Sequence, residues 1–321
     1  MTVVSTWNVE NLFRPGGDFG PKDEVTYQAK LTSLAATITH IAPDVIGLQE
    51  VGDPLALADL VERLDGEWHV ELSKHFGADH PIRVGVLSRH PLEVVADVAD
   101  FPEKLGPLQA DDNKQKKTTQ MGRGALAVRL SPSPGASMTV VSCHLKSKLL
   151  SFPSASGKPR FNPRDEGERA RYGAYALFRR AAEAVTVRAF ADDLLGGHGK
   201  DRAVVVLGDL NDEPPAATTQ ILLGPPGSEL GTGGFAQADK GDGWRLWNLE
   251  SLIPEKERFS RVFHGRGELI DHILVSHALV RRAAEVHTID QDKLPSVTED
   301  PTARRKARGS DHAPVVVRFA S

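Results

Sequence analysis

The feature that most limits what this chain can fold into is a repeated juxtaposition of short apolar runs with a polar or ionisable residue at their end. Val3 to Trp7 is followed by Asn8, Val45 to Gln49 by Glu50, Met138 to Cys143 by His144, and Ala203 to Gly208 by Asp209, Leu210 and Asn211. Runs of this length and β-rich composition read as strands. Val84 to Ser88, Ala125 to Leu130, Ile270 to Ser276 and Pro314 to Phe319 repeat the pattern. Between some of them the period changes. Tyr27, Leu31, Leu34, Ile38 and Ile41 share one face of a helix, and Phe178, Ala182, Val185 and Ala189 one face of a second. Asp111 to Gly122 and Ser151 to Arg164 are polar and aperiodic, which predicts two long loops. The chain therefore reads as α/β. No repeat and no Pro- or Ser-rich linker divides it, so one domain over residues 1–321 is expected.

Composition narrows the chemistry. At 321 residues and 40% hydrophobic content the chain can bury a sizeable core. No run approaches the ~18 to 20 apolar residues of a membrane span. The start, Met1 to Trp7, lacks the charged and apolar regions of an export signal, so a cytoplasmic location is expected, or a secreted one if such a signal has been removed. The single cysteine, Cys143, excludes a disulfide framework and a thiolate metal site, leaving Asp, Glu, Asn and His as ligands for any metal. With 39 Lys and Arg against 43 Asp and Glu, the net charge of −4 is unlike that of a protein that wraps nucleic acid with its whole surface. Basic residues nevertheless cluster at Lys114, Lys116 and Lys117, over Lys158 to Arg171, and at Arg304, Arg305, Lys306 and Arg308. Such clusters are ordinarily solvated surface, and alternatively neutralise a polyanion.

Two more segments, Ile270-Asp271-His272 and Ser310-Asp311-His312, stand at the starts of strand-like runs. If those strands run antiparallel to the others, all six groups meet at one rim. Any one of these residues alone reads as a turn cap. Capping would bring Ser, Thr and Gly as well, whereas these positions hold carboxylates, imidazoles and Asn. A hard cation takes oxygen ligands, which Glu50, Asp311 and Asn8 could supply, and this set favours Mg2+, Mn2+ or Ca2+ over thiophilic metals. Asp209 could orient an attacking water, with Asn211 fixing its geometry or binding a phosphate oxygen. His312 and His144 could move protons or stabilise charge.

The segments Thr6-Trp7-Asn8-Val9-Glu10-Asn11-Leu12, Leu48-Gln49-Glu50, Ser142-Cys143-His144-Leu145-Lys146-Ser147, Gly208-Asp209-Leu210-Asn211-Asp212-Glu213-Pro214, Ile270-Asp271-His272-Ile273-Leu274 and Ser310-Asp311-His312-Ala313-Pro314-Val315 span nearly the whole chain. In this order they resemble the endonuclease/exonuclease/phosphatase superfamily. That resemblance implies an α/β fold, a four-layer α/β/β/α sandwich of two packed mixed β-sheets flanked by helices, with the active site at one edge. It makes Glu50 the main metal ligand with Asn8 and Asp311 beside it, and gives Asp209 and Asn211 the nucleophile and a phosphate oxygen. His312 contacts the phosphate and is oriented by Asp271, His144 assists at the leaving-group side, and Arg123 and Lys146 are weaker phosphate contacts. His272 falls outside the family's catalytic set and reads as packing.

Within that resemblance, two branches are disfavoured by what is missing. The Tyr-x-Pro-Asn segment of abasic-site endonucleases is absent, as are the Tyr-Arg and Trp-Cys-Asp-Arg extensions of inositol phosphatases. His144-Leu145-Lys146-Ser147 before a long polar loop looks most like bacterial DNase-type members. The implied activity is phosphodiester cleavage in nucleic acid, the alternative being a phosphodiesterase or phosphatase acting on a small molecule or lipid head group. No obligate protein partner is inferred. A binding module without catalysis is disfavoured because Glu50, Asp209, Asp271, Asp311 and His312 are all retained.

Overall fold

The computed structural model describes residues 1–77, 80–154, 159–289, 293–300 and 303–320. The chain begins with β1 (Thr2–Leu12), β2 (Val45–Val51), β3 (His69–Leu72), β4 (Arg83–Ser88) and β5 (Glu93–Asp100). Then follow β6 (Leu108–Gln109), β7 (Lys117–Thr118), β8 (Gln120–Leu130), β9 (Met138–His144) and β10 (Ala203–Asp209). The last third adds β11 (Trp247–Asn248), β12 (Arg261–Phe263), β13 (Arg266–Glu268), β14 (Asp271–Val275), β15 (Ala283–Thr288), β16 (Ser296–Val297) and β17 (Val315–Phe319). Twelve of these form two six-stranded mixed sheets, ordered β15-β17-β1-β2-β4-β3 and β11-β14-β10-β9-β8-β5.

Side chains of alternate residues leave each sheet on opposite faces, and both faces are covered. Val4, Val84, Val128, Val140, Val205 and Ile273 meet between the sheets. On the far side of the first sheet, Trp7, Val9, Ile46 and Leu48 pack against Leu31, Leu34 and Ile38 of α1 (Glu24–Ile41) and Leu57 and Leu60 of α2 (Pro54–Val61). On the far side of the second, Val141, Cys143, Val204 and Val206 pack against Ala184, Val187, Phe190 and Ala191 of α3 (Glu166–Leu195). This is the four-layer α/β/β/α sandwich expected from the sequence. Burial on both faces is why β2 and β10 are nearly continuous apolar runs, each buried aliphatic side chain contributing about 1.5–3 kcal/mol.

Strand direction brings the polar ends together. β1 and β2 are parallel, as are β9 and β10, whereas β17 runs antiparallel to β1 and β14 antiparallel to β10. The C-terminal ends of the first four strands and the N-terminal ends of the other two therefore share a rim.

α1 buries all five residues of its expected face. α3 does not: Phe178 is 51% exposed, Val185 and Ala189 are half-buried, and the buried face instead includes Tyr172, Ala176, Glu183, Val187 and Phe190. An Ala-rich helix offers several weakly apolar faces, and polar anchors select one of them. Glu183 accepts the Gly122 and Lys146 backbone N–H groups, and Arg180 binds Asp212 at 3.0 Å. The expected loop at Asp111 to Gly122 is shorter, because Lys117–Thr118 pairs with Leu108–Gln109 and Gln120 begins β8. In the second expected loop Phe152 and Arg160 form an antiparallel bridge. Lys158, at the head of a basic stretch, lies outside the described residues. Among the described residues no helix is long and apolar enough to cross a membrane.

Candidate active site

At the rim, β1 and β2 continue past their polar residues through irregularities in register, between Asn8 and Leu12 and between Leu48 and Val51. Glu10, Asn11 and Glu50 adopt left-handed backbone there, with φ of 49°, 49° and 63°. Such bulges re-aim side chains that an ordinary pleat would send to fixed faces, and strained non-glycine residues of this kind concentrate at functional sites. The Asn8 amide Nδ2 donates to Glu50 Oε1 (3.2 Å) and to Asp209 Oδ2 (3.0 Å), linking the two sheets. Asn11 N donates to Glu50 Oε2 (2.9 Å), and Glu10 N to Asn8 Oδ1 (2.9 Å).

From the second sheet, Asp209 stands in register with His144 on one side and Asp271 on the other. Gly208 makes this closeness feasible. At φ +148°, a Cβ there would lie 1.8 Å from the Cys143 carbonyl oxygen, which no side chain tolerates. Asn211, also left-handed at φ 55°, donates its backbone N–H to Asp209 Oδ1 (2.8 Å) and its amide to Leu145 O (3.0 Å). His144 Nε2 lies 3.4 Å from Asp209 Oδ2, and His312 Nδ1 donates to Asp271 Oδ2 at 2.7 Å. Ligand-type atoms of Asp209, Asp271 and His312 all fall within 4.8 Å of one another, and all three residues are buried.

Burial and close charges set the protonation. Burial, with the neighbouring Asp271 charge, pushes Asp209 up to about 7. Burial alone would lower the His312 pKa, but the charge and hydrogen bond of Asp271 outweigh it and raise it to about 10. His144 is driven well below the usual histidine range by burial, then by Arg123. Asp271 Oδ1 and His144 Nδ1 are buried without a hydrogen-bond partner among the described residues, a state that calls for water or a ligand.

The remaining expected residues divide. Asp311 is half-buried and accepts no hydrogen bond among the described residues, which leaves its carboxylate free beside Glu10, Arg304 and His312. Arg123 donates to Leu145 O at 3.2 Å, with Glu50 and Asp209 within reach of its charge. Lys146 is not directed at the carboxylates. Its ammonium donates to Ser147 O (2.9 Å), Ser147 Oγ (3.3 Å) and Leu149 O (3.0 Å), holding its own loop. His272 is buried between the Asp212 carbonyl (2.9 Å) and the Asn248 amide (3.1 Å).

Other residues at the rim were not assigned from sequence. Ser260 Oγ accepts from Ile270 N and Asp271 N, both at 3.1 Å, and so fixes the start of β14. His80 Nε2 donates to Asn11 Oδ1 at 2.8 Å. Glu10 pairs with Arg304, and Lys30 donates to the Glu10 carbonyl. Lys30 carried a signal: it lies beside Tyr27, Leu31 and Leu34 on the apolar face of α1, where an unpaired charge would be costly.

Glu50, Asp209 and Asp311 present carboxylate oxygens and Asn8 its amide oxygen, while Cys143 is packed away in the α3 core. This donor chemistry fits a hard divalent cation.

A model of the Endonuclease/Exonuclease/phosphatase family matches residues 5–312. No curated protein matches the chain in sequence. Among solved structures, truncated TDP2 of Caenorhabditis elegans is similar with a TM-score of 0.57 and 15% identity, covering 100% of this chain and 98% of that one. A mannosyl-6-phosphatase of Bacteroides thetaiotaomicron gives 0.55 at 15% identity, covering 100% of both chains. The 3′ phosphatase NExo of Neisseria, bound to product DNA hairpin, gives 0.54 at 19% identity, again over 100% of both. At such identities the likeness is one of fold.

Proposed function

Because the chain belongs to the endonuclease/exonuclease/phosphatase family, whose members are hydrolytic phosphoesterases, we propose that it hydrolyses phosphodiesters in nucleic acid with a divalent cation, Mg2+ or Mn2+. The observation that carries this reading is the buried Asp209, Asp271 and His312 group, joined through Asn8 to Glu50. Glu50, Asn8 and Asp311 would hold the cation, which when bound supplies positive charge to phosphate oxygens. Asp209, oriented by Asn8 and by the Asn211 backbone and poised near neutrality, accepts a proton from the attacking water. His312, kept protonated by Asp271, donates from its free nitrogen to a phosphate oxygen as charge builds there. His144, neutral and next to Asp209, assists at the leaving-group side. Arg123 is placed in this reading at the phosphate, and Lys146 holds the loop beside it.

Nucleic acid is favoured by exposed Arg305, Lys306 and Arg308 just before Asp311, and by exposed Lys114 and Lys117. A second reading, a small phosphate ester, is favoured by the pairing of the central basic stretch. Arg160 and Arg164 meet Glu168, Arg169 meets Glu166, and Arg171 meets Asp112. Two of the structural relatives span this choice, a 3′ phosphatase bound to DNA and a mannosyl-6-phosphatase.

The test is a metal-supplemented panel of plasmid DNA, single-stranded DNA, RNA, and small phosphodiesters and phosphomonoesters. Turnover of nucleic acid that chelation abolishes is expected. Full activity in excess EDTA after dialysis would sink the metal-dependent reading, and turnover of the small esters alone would replace nucleic acid as substrate.

A further inference from the structure

Glu10 and Arg304 are 294 positions apart and form two parallel hydrogen bonds, each 2.6 Å long. Glu10 is 8% exposed, and the Arg304 side chain 21%. A bidentate guanidinium–carboxylate pair fixes orientation as well as distance, and shielding from water strengthens it. The pair starts a series of contacts between β1 and the segment that carries Asp311. Arg304 Nη2 donates to Gly309 O at 3.2 Å, closing the segment on itself. Ser310 Oγ donates to Asn8 O (2.6 Å) and accepts from His312 N (3.0 Å), and the Trp7 indole donates to His312 O (2.8 Å). From the other side, Lys30 of α1 anchors the Glu10 carbonyl. Asp311 thus lies between tethered residues while its own carboxylate is untethered.

We infer that the Glu10–Arg304 pair is a positioning device, which holds Asp311 beside Asn8 and Glu50 and thereby sets the affinity of the rim for its divalent cation. This rests on the reading that Asn8, Glu50 and Asp311 hold the cation. Two physical effects act in the same direction. The fork removes freedom from a segment otherwise held by single hydrogen bonds. Its positive charge also compensates Glu10, which would otherwise repel Asp311 across a poorly solvated gap. Residues that orient metal ligands from behind commonly change affinity by about 10–100-fold when replaced.

The experiment is calorimetric titration of Mn2+ into the metal-free full-length chain without substrate. Arg304→Met should weaken binding by about tenfold or more. Arg304→Lys, which keeps the charge and loses the fork, should fall between Arg304→Met and the original chain; it also serves if Arg304→Met does not fold. Glu10→Gln combined with Arg304→Met should lose less than the two single changes added together, because no buried carboxylate is left unpaired. In an Asp311→Asn background, Arg304→Met should cost little more. Unchanged affinity in Arg304→Met and Arg304→Lys, or a full additional loss in the Asp311→Asn background, would overturn the inference. Were the ligand assignment itself wrong, Asp311→Asn alone would leave Mn2+ binding unaltered, a separable result.

Discussion

Asp209 and His312 are proposed as a complementary acceptor and donor, a division set by their surroundings more than by residue type. Asp209→Asn and His312→Ala are each expected to lower kcat on the order of 100-fold or more, with an unchanged circular dichroism spectrum. A near-normal rate for Asp209→Asn on the true substrate would remove the water-positioning role. The His312 shift also makes a stability prediction. A histidine whose pKa rises from its usual ~6.5 to about 10 on folding contributes stability fully present below about 6.5 and lost as pH climbs through 10. Lys146, lowered by burial to about 7, acts in the opposite direction over the same window but is common to both proteins in a comparison. In EDTA, therefore, the stability advantage of the original chain over His312→Asn should shrink between pH 7 and pH 10. Urea unfolding at several pH values measures it, and a pH-independent difference would show that Asp271 does not hold that proton.

At the scale of elements, the sheets were legible at their centres and obscure at their edges. β1, β2, β9, β10 and β17 are buried on two faces and announce themselves as apolar runs, whereas β5 and β15 carry Glu93, Asp97, Asp100 and Glu285 and lie at sheet edges. An edge strand needs less apolar surface, so its sequence resembles a loop. The bulges at Glu10 and Glu50 left no periodic trace, because one extra residue in a strand is invisible until its neighbour's register is known. α3 shows the same dependence on a partner, since the helix was legible and its buried face was not. Phe178→Ala should leave stability within about 0.5 kcal/mol. Phe190→Ala, 8% exposed in the original chain, should cost about 3–5 kcal/mol. Comparable losses from the two substitutions in urea unfolding would restore the face read from sequence.

At the scale of the whole molecule, a net charge of −4 surrounds a few uncompensated basic patches. Arg304 belongs to a fixed pair, so the residues free to meet distant phosphates in the last cluster are Arg305, Lys306 and Arg308. Replacing these three by Ala should raise KM on DNA or RNA and flatten log affinity against log salt by roughly 0.7 to 0.9 for each phosphate that is no longer neutralised. Turnover of a small chromogenic phosphodiester should hardly change. An unaltered salt slope would take the cluster off the substrate surface and favour the small-ester reading. The sequence by itself determined the α/β class and the set of polar residues that end the central strands, because two-sided burial demands apolar runs and chemistry demands particular side chains at their ends. The four-layer order followed only from the family resemblance that those ends carry. Tertiary structure alone decided which basic residues remain free, as Arg304, Arg160 and Arg171 are neutralised by acids 294, 8 and 59 positions away. It also decided that Asn8 links Glu50 to Asp209 and that Glu10 secures the segment bearing Asp311. Such pairings depend on how separate elements are placed in space, and a one-dimensional pattern records composition and period but carries no distance between residues of different elements.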